Sequence, residues 1–199
     1  MMLVEETPVP LAALPLDGFK AHLRLGSGFA EDDVQDAVLE SFLRAAMAAV
    51  EARTGKILIE RAFSWTLQDW RDASGQVLPV APVSAVSAVV LIDRLGVEIA
   101  VAADAYRLAR DTHRPQLCPV SALLPTVPTG GTVRIEMVAG YGAAWSDLPA
   151  DLAQAVLMLA AHYYEYRHDT ALSGGCMPFG VTSLLERYRP LRISAGAQR

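Results

Sequence analysis

A chain of 199 residues, 52% of them hydrophobic, holds enough apolar material for one core of ordinary domain size and is no disordered chain. Its 17 Lys+Arg stand against 22 Asp+Glu, a formal net charge of −5 with no basic stripe, which excludes a protein that grips nucleic-acid phosphates non-specifically. The apolar run "LPVAPVSAVSAVVLID" is broken by Pro and Ser short of the roughly 20 residues a membrane span needs, so no membrane partner is expected.

The N-terminal stretch "MMLVEETPVPLAALP" lacks the positive start of a secretory signal, so synthesis in the cytoplasm is expected. Its three prolines predict an extended arm over 1–15 rather than a packed element. In "LDGFKAHLRL", Asp17 is placed to cap a short helix over about 17–24, with Phe19, Leu23 and His22 on its inner side.

A long helix over about 30–54 comes next. Glu31, Asp32, Asp33 and Asp36 crowd its first turns, where the helix dipole favours negative charge. Val34, Val38, Phe42, Ala45, Ala49 and Ala52 recur at helical spacing, with Leu39, Ala46 and Val50 widening the stripe. Gly55 stands where a helix ends in the left-handed conformation.

The period then changes. Ile57, Ile59, Arg61, Phe63, Trp65 and Leu67 alternate along "ILIERAFSWTLQDW", and "VSAVVLID", "GVEIAV", "AYRLAR" and "GTVRIEMVAGYG" are short, β-branched and punctuated. They predict a β-rich block over about 57–140, antiparallel because no helix lies between strands. Trp65 and Trp70 would face opposite sides of one strand; either both are core, or one contacts a neighbouring molecule. Helical patterns return over about 148–168, with Ser146 or Asp147 as cap, and over about 179–189, ending near Pro190.

"AAHYYEYRHD" holds the one arrangement that resembles a metal site. His162 and His168 are six apart and do not stack on one helical face, and the inverted zinc motif would need His where Tyr166 stands. A polar arc carrying Glu165, His168, Asp151 and Gln154 accounts for the stretch. "GSG" and "GGTV" lack the Gly-Lys-Ser/Thr of a phosphate loop, and "LSGGC" has no motif partner for Cys176. Cys118 and Cys176 read as two ordinary thiols. No catalytic set, no metal site and no cofactor is expected.

The order of segments carries more. "LDGFKAHLRL", "EDDVQDAVLESFLRAAMAAVEARTGKILI" running into "FSWTLQDW", "LPVAPVSAVSAVVLID", "AYRLA", "GTVRIEMVAGYG", "LPADLAQAVLMLAAHYYEYR" and "PFGVTSLLERYRPLRI" follow one another as in the head–tail connector (adaptor) family of tailed bacteriophages. The chain resembles that family over about 16–192; members also occur in phage-derived particles such as gene transfer agents and in prophages. The resemblance implies an α+β fold: a helical bundle of the long N-terminal helix and the C-terminal helices, with a β-rich antiparallel insertion. It implies a single connector domain over 16–192 and a flexible end over 193–199.

The implied role is structural and not enzymatic. Such proteins form a homo-oligomeric ring, usually of twelve, in the neck of the virion beneath the portal protein. The ring extends the channel through which DNA passes without sequence-specific binding, and it offers a platform to stopper or tail proteins. Net acidity suits such passage, because each Lys or Arg on a phosphate adds affinity. A stopper or tail-terminator ring of the same particle is the alternative reading. Docking on the portal through C-terminal segments would map to Phe179, Leu184, Leu185, Arg187, Tyr188, Arg189 and Leu191. Leu184, Leu185 and Tyr188 could equally cap the subunit's own core.

Overall fold

The computed structural model describes residues 1–24, 33–167 and 177–189. The chain combines helices with two antiparallel sheets, and each kind of element keeps a core of its own.

The helical layer contains α1 (Leu16–His22), α2 (Asp33–Thr54), α3 (Ala150–Glu165) and α4 (Phe179–Leu185). In α2 the buried stripe is Leu39, Leu43, Ala46, Met47 and Val50. Val38, Ala45 and Ala52, expected on the inner face, are exposed. Both sets share the helical period, and the helix turns so that the larger side chains are the ones withdrawn from water. Gly55 ends α2 at φ +67°, as its position predicts. Phe19 of α1 is fully buried, whereas His22 is exposed, contrary to expectation. Asp17 lies inside α1 and caps nothing, because Pro15 holds the cap position. Likewise Pro149, and neither Ser146 nor Asp147, precedes α3. Asp147 instead accepts the Ala144 N–H at 2.9 Å and closes a 3-10 turn at Trp145–Asp147.

The larger sheet has the order β1-β2-β8-β4-β5: β1 (Met2–Glu5), β2 (Arg61–Leu67), β8 (Thr132–Ala139), β4 (Val83–Ile92) and β5 (Glu98–Ala100). A smaller sheet, β3-β7-β6, is built from β3 (Gln76–Val77), β6 (Tyr106–Ala109) and β7 (Gln116–Pro119). Arg61, Phe63, Trp65 and Leu67 face inward, and the last three pack with Val133, Ile135 and Met137 of β8. Trp70 belongs to this same core, since β2 ends at Leu67 and alternation no longer governs it. Its Nε1–H donates to the Pro125 carbonyl at 2.7 Å. Both tryptophans are therefore core residues.

Residues 1–15 are not a free extended arm: the chain is extended at first, turns through a 3-10 helix at Leu11–Ala13, and packs on both cores. Met2–Glu5 pairs with β2 as an edge strand, with Leu3 opposite Trp65. Val9, Ala13 and Leu14 are buried in the helical core, and Arg44 of α2 donates to the Val9 carbonyl at 2.9 Å. Proline bars a central strand position but not an edge strand that ends before Pro8.

The two layers meet at a seam. Residues 57–60 run beside 140–142, with Tyr141 N–H bonded to the Leu58 carbonyl at 3.0 Å and Glu60 N–H to the Gly142 carbonyl at 2.8 Å. Gly140 sits there at φ +142°; a Cβ would lie 2.3 Å from Glu60 Cα, so only glycine fits. Lys56 is buried at the same seam, and its Nζ donates to the Thr112 carbonyl at 2.6 Å.

Candidate functional site

The C-terminal segment singled out by sequence lies against α3. After Pro178, α4 turns Val181 and Leu185 into the helical core, where both are fully buried. A 3-10 turn, Glu186–Tyr188, then brings Tyr188 over the first turn of α3. The Tyr188 hydroxyl donates to Asp151 Oδ1 at 2.7 Å, and Arg187 Nε sits 2.8 Å from Asp151 Oδ2. Arg187 also donates to the Tyr188 hydroxyl and lies over its ring, 4.7 Å from the centroid. One carboxylate thus latches both residues. Asp151, which the sequence places only on a polar helical arc, is the anchor of this turn.

Burial pushes the Tyr188 phenol above its ordinary range, with the hydrogen bonds to Arg187 and Asp151 acting in opposite directions on it. Tyr141 borders the same cleft, which Thr112, His113, Pro149, Arg187 and Tyr188 also line. Burial, reinforced by Tyr188 and Asp151, pushes the Tyr141 phenol up to about 12. Its hydroxyl is buried without a hydrogen-bond partner among the described residues.

The seven C-terminal residues therefore divide. Leu185 and Tyr188 hold the segment onto its own subunit, as in the core-capping reading, and Leu184 is half-buried. Phe179, Arg187 and Arg189 face solvent, and Phe179 is 88% exposed. Arg189 makes only a loose contact with Glu186, at 3.7 Å. Leu191 lies outside the described residues. An aromatic ring left almost wholly in water and exposed arginines on the same segment are the residue types that anchor protein interfaces.

The histidine helix does not form a cluster within the described residues. Glu165 is exposed, and the His162 ring packs against Tyr166 with centroids 4.7 Å apart. His168 and Cys176 lie outside them. Among the described residues no group of three or more His, Cys, Asp or Glu side chains converges on one point, and no helix is long and apolar enough to cross a membrane.

No family model matches the chain, and no curated protein does. Solved structures do. The chain is similar to one from the neck of an empty GTA particle computed with C6 symmetry, at 52% identity over 100% of both chains and a TM-score of 0.90. A chain from the virion of a native gene transfer agent (GTA) particle matches at 54% identity over 98% of this chain and 99% of that one, with a TM-score of 0.87. A third, from the neck of a native GTA particle computed with C12 symmetry, matches at 50% identity over 100% of both, with a TM-score of 0.86. Both symmetries are cyclic, the arrangement of identical subunits in a ring. With half or more of its residues identical over essentially the full length, and in one fold, the chain belongs to the family of gene transfer agent neck proteins, and its place is the neck of the particle.

Proposed function

We propose that the chain is the adaptor subunit of this neck: a ring protein, twelve copies strong, seated between the portal and the tail-side proteins. Its work is structural, with no catalysed reaction. It prolongs the channel for DNA and gives stopper or tail proteins a surface to bind. The observation that supports this reading is the full-length similarity to neck chains of cyclic assemblies, one of them C12. Exposed Phe179 at the start of α4, with Arg187 and Arg189 at the latched turn that follows it, supplies the portal-facing contact. The net charge of −5 suits DNA sliding past, since each basic contact to a phosphate would add affinity.

The test is reconstitution. Purified chain is mixed with the portal ring of its particle and imaged by electron microscopy, beside a version truncated after Cys176. A collar beneath the portal that vanishes on truncation supports both the adaptor position and the C-terminal contact. Binding to the tail side alone would overturn the adaptor position in favour of a stopper or terminator ring.

A further inference from the structure

The larger sheet has two open edges, and they differ in sequence but match in direction. Its five strands alternate in the order β1-β2-β8-β4-β5, every neighbouring pair antiparallel. An odd number of alternating strands leaves the outer two, β1 and β5, running the same way. Both edges are short, and neither Met2–Glu5 nor Glu98–Ala100 contains the lysine or proline that ordinarily blunts a free edge.

Both also carry apolar side chains in water. On β1, Met2 is 62% exposed and Leu3 and Val4 are exposed as well. At the opposite end, Leu95, Val97 and Ile99 of the β4–β5 hairpin stand free, Leu95 at 79%. Exposed apolar residues scattered singly need no explanation, but three on one edge strand and three on the hairpin that forms the opposite edge do.

Direction decides what can cover them. A two-fold dimer would pair like edges, β1 with β1 or β5 with β5, as antiparallel strands. A rotation about an axis lying along the strands instead brings β1 of the next copy beside β5 of the first, as a parallel pair. That joint is heterologous, uses two different patches, and closes into a ring, the symmetry of the related neck assemblies.

We propose that the subunits of the ring join through these edges: β5, with Ile99 on it and Val97 just before it, lies alongside Met2–Glu5 of the neighbouring copy and extends its sheet. The inference rests on the ring reading above and names the surfaces that reading leaves unassigned. Apolar side chains meet apolar side chains across the joint, and the open N–H and C=O groups of both edges find partners. It also sets a size. Twelve five-stranded sheets at about 4.8 Å per strand close on a ring about 90 Å across at the sheet level, and wider if the strands tilt.

The test uses assembled particles carrying the full chain with Cys118→Ala and Cys176→Ala, to which Val4→Cys and Ile99→Cys are added singly or together. Both sites are solvent-exposed, so the subunit's fold is not at stake. A short bismaleimide should give a ladder from dimer to closed ring with the pair, and monomer with either single variant. A dimer from a single variant marks a like-edge joint and overturns the proposal. A complete neck ring in electron micrographs without any ladder overturns it too, while leaving the ring reading intact. Particles whose neck contains this chain in no ring would remove both.

Discussion

Arg61 on β2 and Glu51 on α2 form a closed pair across the seam, with guanidinium Nη2 2.8 Å from Glu51 Oε2 and Nη1 3.0 Å from Oε1. The Arg61 side chain is 7% exposed and that of Glu51 12%, so the pair is shut off from most solvent. Glu51 also accepts the Leu58 N–H at 2.8 Å, and Glu5 of β1 approaches Arg61 from the other side, at 2.9 Å. Burial works against the Arg61 charge, and the two carboxylates more than offset it, holding the guanidinium above its ordinary pKa. Strand, helix and N-terminal segment are thereby tied at one cation.

Removing that cation leaves Glu51 buried and uncompensated. Arg61→Ala should cost about 3–5 kcal/mol, whereas Glu5→Gln, on a side chain 42% exposed, should cost less than about 1 kcal/mol. Urea unfolding of the free subunit measures both. Equal losses for the two variants would show that Glu5 carries as much of the joint as Glu51.

Tyr141 titrates late. Its folded pKa, about 12, stands above the ordinary 10.0, so the folded state keeps its proton where the unfolded state loses it. The stability this represents is complete below pH 10 and disappears as pH rises through 12. Tyr141→Phe should abolish that alkaline loss and leave neutral-pH stability unchanged or raised by up to about 1 kcal/mol, because the hydroxyl it deletes has no partner. Ultraviolet titration of the six tyrosines should show one fewer late-ionising group in the variant.

Lys56 carries the opposite sign. Burial pushes its ammonium below the ordinary 10.5, with Asp111 partly resisting. The charged form is disfavoured in the folded chain, so its cost is full below the folded pKa and fades as pH climbs toward 10.5. Lys56→Met should flatten that rise in a series of urea melts from neutral to alkaline pH. A wild-type slope unaltered by the substitution would assign the effect to other groups.

On α4, two substitutions separate holding from docking. Leu185→Ala should cost about 2–5 kcal/mol of subunit stability, since the side chain is fully buried. Phe179→Ala should change stability by no more than about 0.5 kcal/mol and weaken portal binding at least about tenfold. Thermal melts and a portal pull-down read the two effects independently.

Gly140→Ala tests the seam itself. The new methyl group would meet Glu60 backbone at 2.3 Å with φ at +142°, and neither strand can retreat without breaking the bonds at Tyr141 and Glu60. A loss above about 3 kcal/mol is expected by chemical denaturation.

What could be read from sequence was what has a period or a fixed local chemistry. The long α2 helix, the inward face of β2, the antiparallel character of the block and the left-handed Gly55 all follow from such rules. The exact inner face of α2 did not, because Val38 and Leu39 both fit the same helical repeat and only packing chooses between them. β3 and β7, two and four residues long, are too short for alternation to show. β1 hides in a Pro-rich stretch and its residues are all exposed, so nothing in its pattern announces a strand. In the C-terminal segment the residue types marked an interface, but Leu185 and Tyr188 declare themselves as core only once Asp151 and α3 are seen beside them.

The chain passes between its two cores three times, at 6–9, 54–60 and 140–148, and the strands at these crossings lie side by side: Glu6 N–H bonds to the Ala62 carbonyl, and Glu60 N–H to that of Gly142. Such a joint is a flat strap rather than a single cord. A strap resists sliding and in-plane twisting but flexes about the one axis across its width. Bending of the helical end against the sheet end is therefore the deformation this strap opposes least, and the Arg61–Glu51 pair is the side-chain tie that stiffens it.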